Sequence, residues 1–124
     1  MDGHGQRKDY PKNIKRLLRE YMTEAYEREL QRELTKLDQS FAQWRAGTIS
    51  SGELSYRIHE YETGISRELY KQYNESPHEM TVAYAIVIGV LDQKDVPLEL
   101  LEAISGPLEF YRSLKERNEL KVRD

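Results

Sequence analysis

The chain of 124 residues contains no cysteine, and that absence removes disulfides, zinc–thiolate sites and thiol nucleophiles together. Proline and glycine are scarce, at four and seven residues, so long stretches run without the residues that break helices. No apolar run approaches the roughly 20 residues that span a bilayer. The opening MDGHGQRKDY has no apolar segment of the kind that directs secretion, so a cytoplasmic protein is expected. Just three histidines are present, too few for a readable Ser/His/Asp arrangement. No glycine-rich phosphate cradle occurs either. With 38% hydrophobic and 33% charged residues, the chain is polar for a globular protein but not of disordered composition.

What is present is helical patterning. Residues 1–10 are charged, glycine-rich and aperiodic, and are expected to form a flexible tail before a single helical domain over 11–124. From Lys12 to Ala46 no glycine or proline interrupts the chain. Ile14, Leu17, Leu18, Tyr21, Met22 and Ala25 form one apolar stripe. Tyr26, Leu30, Leu34, Leu37, Phe41 and Trp44 form a second, offset by roughly 140° at about 100° per residue. Such a helix packs against two different neighbours. Its N-terminal stripe needs cover from later helices or from a second protomer, which makes Ile14, Leu18, Tyr21 and Met22 candidate interface or close-packing residues.

Gly47 then ends the first helix. Ser50 with Glu53 forms a capping box, Ile49 with Leu54 a hydrophobic staple, and the second helix is predicted from Ser51 to about Asn74. Ser76-Pro77-His78-Glu79 repeats the start signal ahead of MTVAYAIVIGVLDQ, a run apolar on every side. Its Val/Ile content would also suit a strand. The start signal and the lack of a second strand candidate favour a buried central helix. A fourth helix is predicted from around Asp95–Leu98, kinked at Ser105-Gly106-Pro107. The expected fold is all-α: a bundle of four main helices with a long antiparallel hairpin of helices one and two, a buried third and a kinked fourth.

Chemistry is sparser. His59 and Glu62 are neighbours across one turn, on a flank between core stripe and solvent, and such a pair can supply two metal ligands. Glu24, Glu27, Glu29 and Glu33 of the first helix, or His78, would have to supply the rest. The plainer reading is a surface hydrogen bond. Four acid-x-x-acid pairs are present (Glu24/Glu27, Asp92/Asp95, Glu99/Glu102 and Glu116/Glu119), about as many as chance gives with 22 acids, so they carry no magnesium motif. Gly64, inside a predicted helix, costs about 1 kcal/mol relative to alanine and marks either a close approach of another group or a tolerated glycine.

Residues 1–19 hold six Lys/Arg against two acids, which makes Lys12, Lys15, Arg16 and Arg19 candidate anion-binding residues together with the basic C-terminal segment. Ordinary solvated charge is the preferred reading, and a nucleic-acid partner is not expected. The segment RIHEYETGISRELY resembles a group of small all-helical bacterial proteins of unknown function with an I-H-E-aromatic-x-x-Gly…R-E-L pattern, extending toward LEFYRSL. The resemblance implies a bacterial origin and an all-α fold, and brings no activity. The group carries a second histidine where Glu62 stands here, so a two-histidine site is not transferred. The function expected is protein–protein interaction or assembly, as a homodimer or with another protein, without cofactor and without evident catalysis. The alternatives are a metal- or nucleotide-dependent enzyme and a nucleic-acid binder.

Overall fold

The computed structural model describes residues 9–123, and among these no strand occurs. The helices are α1 (Lys12–Arg45), α2 (Ser51–Thr63), α3 (Ile65–Asn74), α4 (His78–Val87), α5 (Leu98–Ala103) and α6 (Ser105–Glu116), with one 3-10 turn at Gln93–Asp95. The all-helical class is as expected. Two of the four helices expected from the sequence are each broken once.

The α1–α2 turn follows local chemistry closely. Gly47 adopts φ +81°, and the N–H groups of Gly47 and Thr48 reach back to Trp44 O and Gln43 O at 3.0 and 2.9 Å. This is a Schellman ending, in which the left-handed glycine lets two orphan carbonyls find donors. Ser50 Oγ then accepts from Glu53 N at 3.0 Å and starts α2. The return half of the capping box is absent, because the Glu53 carboxylate accepts instead from Arg57 Nε at 2.8 Å.

The second helix does not run through to Asn74. It breaks at Gly64, where a Cβ would stand 2.8 Å from the Glu60 carbonyl oxygen. The close approach read from this glycine is therefore made by its own chain, one turn back. The fourth helix breaks at Ile104, earlier than predicted. Pro107 lies within the first turn of α6, where its missing N–H leaves no bond unmade, so the interruption moves ahead of it.

The apolar run from Met80 folds as helix α4, with Thr81, Val82, Ala83, Ala85, Ile86 and Val87 buried. Around it collect Leu69 and Tyr73 of α3, Leu100 of α5, Ile104, and Leu108 of α6. The N-terminal stripe of α1 belongs to this same core. Ile14 and Leu18 are buried in it and Tyr21 and Met22 pack against its edge, so the chain's own helices, not a second protomer, supply the cover there. Asn13 donates to Glu99 at 3.1 Å, Tyr21 to Asp95 O at 3.0 Å and Arg28 to Val90 O at 2.9 Å, tying that half of α1 to the α4–α5 region. Tyr10, placed in the tail by the sequence, is also buried in the core. Burial raises its phenol pKa, with the Glu79 charge adding to the shift. Residues 1–8 of the expected tail lie outside the described residues.

The other half of α1 is different. Beyond Glu29, α1 buries just Ser40, and α2 buries just Leu54. Trp44 Nε1 donates to Ser51 Oγ at 3.0 Å, and Arg57 Nη1 donates to Ser40 Oγ and Gln43 Oε1 at 3.1 and 2.7 Å.

Candidate functional site

Two features stand out from a scaffold otherwise occupied with packing: a buried carboxylate and an uncovered apolar face. The carboxylate is Glu29, 2% exposed. It stands four residues after Ala25, in line with Leu18 and Met22, so an acid occupies the next core position of the N-terminal stripe. Removing a carboxylate from water costs several kcal/mol unless it is paired and hydrogen-bonded. Glu29 is both. Tyr73, fully buried, donates a hydrogen bond to Oε2, and Gln72 Nε2 lies 3.4 Å from the same oxygen. Arg32 Nη2 and Arg123 Nη1 stand 3.8 and 3.9 Å from Oε1.

The cluster fixes the C-terminal segment. Arg123 also meets Glu68 at 3.5 Å, Tyr84 Oη donates to Lys121 O at 2.6 Å, and Leu120 packs against the core. Asn118, at φ +59°, turns the chain after α6, with Glu119 N bonded to Leu114 O at 2.8 Å. Burial pushes the Tyr73 phenol pKa far up, reinforced by its hydrogen bond to Glu29 and by the carboxylate charge. Arg123 and Gln72 act the other way. Burial likewise raises Tyr84 and Tyr111. Held in this way, with donors on Oε2 and two guanidinium charges beside Oε1, the carboxylate acts as a structural clamp at the edge of a small cleft of about 190 Å³ lined by Arg28, Arg32 and Val90 among others.

A cleft of about 550 Å³ lies beside this segment, between the α3–α4 turn and α6, lined by Met80, Tyr84, Tyr111, Leu114 and Leu120 among others. Its apolar walls are edged by Gln72, which is bonded to Glu29, and Thr81, which is bonded to His78 O.

The metal candidates do not converge. His59 and Glu62 are exposed, and Glu62 is engaged by Arg67 at 3.2 Å. Glu24 accepts from Arg28 at 2.7 Å and Glu33 from Lys36 at 3.1 Å. Among the described residues, no group of three or more His, Asp or Glu side chains could hold a metal ion. Of the basic candidates, Lys15 pairs with Asp9 and Arg16 with Glu20, each at 3.1 Å, while Lys12 and Arg19 are exposed. Of the C-terminal bases, Arg117 pairs with Glu119 at the surface, and Arg123 turns inward to Glu29 and Glu68. No described helix is long and apolar enough to cross a membrane.

The uncovered face lies on α1 and α2. Leu34 is 47% exposed, Trp44 42% and Ile58 38%, while Leu37, Phe41 and Tyr61 are half-buried. Leu30, Leu34, Leu37, Phe41 and Trp44 recur at alternating spacings of four and three, and so do Leu54, Ile58, Tyr61 and Ile65. This is the seam pattern of helices that pack lengthwise. The second stripe was legible in the sequence. That the core covers it at Tyr26 and Leu30 and leaves Leu34 and Trp44 exposed was not. No family model matches the chain, and no curated protein or solved structure matches it either.

Proposed function

We propose that the protein acts by contact with another protein, through a two-helix arm in which α1 and α2 run antiparallel beyond the core. The order of cross-helix bonds supports that direction: residue 44 meets 51, 40 and 43 meet 57, and 29 meets 72 and 73. One observation carries the reading. The distal halves of two apolar-striped helices bury just Ser40 and Leu54, leaving large apolar side chains open to solvent. Contiguous apolar surface of this kind marks sites of protein contact. Two helices alone do not enclose a core; a further layer is required.

The core half is the anchor. It consumes α4, α5 and α6, and its clamp on Glu29 holds α1, α3 and the C-terminal segment in one arrangement. A photo-reactive residue placed at 34 or at 58 in the producing cells tests the reading. Cross-links to a second protein molecule are expected from both positions, and none from position 23, an exposed site near the core. Cross-links from position 23 alone, or from none of the three, contradict it.

A further inference from the structure

The arm's face fits a second copy of this chain, and we infer that the protein is a symmetric dimer in which two arms pack face to face as four helices. The inference rests on the reading of the arm as a contact surface and names its occupant.

The placement of the side chains comes first. On α1, Ser40 and Gln43 lie to one side of the α1–α2 seam, and both receive the Arg57 guanidinium from the same side of α2. That flank carries Glu33, Lys36 and Glu60 around a shallow cleft of about 270 Å³, with Leu37, Tyr61 and Ile65 of the seam also lining it. Across the seam the residues change character. Leu34 is about 120° from Ser40 around α1, and Ile58 is about 100° from Arg57 around α2. In antiparallel neighbours these two displacements fall on the same side of the pair. Leu34 and Phe41 therefore share one face with Ile58. Ser51 and Ser55 follow at its α2 edge, side chains small enough to let another helix approach. The Arg57 bridge lies on one face of the arm, and Leu34, Phe41 and Ile58 lie on the other, rimmed by Glu27, Asp38 and Glu62.

Area decides whether such a face can hold a partner. From Leu30 to Trp44 the arm runs about 22 Å, and two helices side by side are about 20 Å wide. Two copies bring together roughly 900 Å² in plan, more once side-chain relief is counted, against the ~1,000 Å² that a stable interface requires. A shorter partner, such as one isolated helix, would cover one groove and leave half the face wet. A second arm covers all of it with the same pattern of fours and threes. An isologous pair needs no feature beyond those the chain already has.

Sedimentation equilibrium of the full chain at micromolar concentration, beside Leu34→Glu/Ile58→Glu and the control Gln39→Glu, tests the inference. A mass of twice the 14.7 kDa chain is expected for wild type and control. The double variant should be a folded monomer by circular dichroism, with association weakened at least 100-fold. A dimer that persists in the folded double variant overturns the inference, because the contact then lies elsewhere. If the double variant fails to fold, Leu34→Ser alone gives the same comparison with a milder change. A monomeric wild type overturns it as well, and dye binding then separates the two readings. An apolar-surface dye bound by wild type and lost in the variant leaves the arm a contact surface for a different protein. No dye binding in either removes the contact reading too.

Discussion

Glu29 is an acid standing where its helical stripe calls for an apolar side chain, and its surroundings explain why it can remain there. Tyr73, Gln72, Arg32 and Arg123 supply donors and charge from α3, α1 and the C-terminal segment. Truncation by Glu29→Ala orphans the buried Tyr73 hydroxyl and opens space in the core. A loss of about 2–4 kcal/mol in urea unfolding is expected. Tyr73 gives a second prediction. Its pKa is raised in the folded state above the ordinary 10.0, so both states keep the proton below pH 10 and the stabilisation is complete there. As pH rises past 10, the unfolded chain gives up its proton while the native state holds it, and stability falls. Tyr73→Phe should lower stability at neutral pH and make its decline above pH 10 shallower. An unchanged alkaline slope would contradict the assignment. The acid was visible in the sequence as one of six on the first helix. Its burial was not, because that depends on Tyr73 and Arg123, 44 and 94 positions away.

At the scale of helices, what could be read in advance was what neighbouring residues decide among themselves. The Gly47 ending and the Ser50 cap use atoms within six residues of one another, and both form where the sequence indicates. Ser50→Ala should cost about 1 kcal/mol, measured as a lowered urea midpoint with unchanged slope. Tyr10 went the other way: a charged, glycine-containing stretch gives no local sign of burial, and a core formed far along the chain captures the ring. Gly64 lies between these cases. Its helical flanks suggested a continuous element, yet the backbone turns so that a Cβ would meet the Glu60 carbonyl. Gly64→Ala should therefore destabilise by 1 kcal/mol or more, the reverse of the gain usual for alanine in a helix. Gly52 is the control. Its added Cβ would meet just Ser50 Oγ at 3.8 Å, and Gly52→Ala should stabilise by about 0.5 kcal/mol.

For the whole molecule, the two stripes of α1 divide the labour between anchor and arm. The first is satisfied internally, chiefly by α4 and α5, so of the two kinds of cover expected for it the later helices supply it. The second is met by α2 along one side and left open along the other. The apolar surface left without cover thus lies some 20 residues further along the same helix, about 30 Å. An isotope-filtered NOE spectrum on a sample mixing labelled and unlabelled chains addresses this claim most directly. Contacts between chains should arise from the side chains of Leu34, Phe41 and Ile58, with none from Leu17, Leu100 or Ile104. Intermolecular contacts confined to other residues, or absent at concentrations where the arm is folded, would contradict the account.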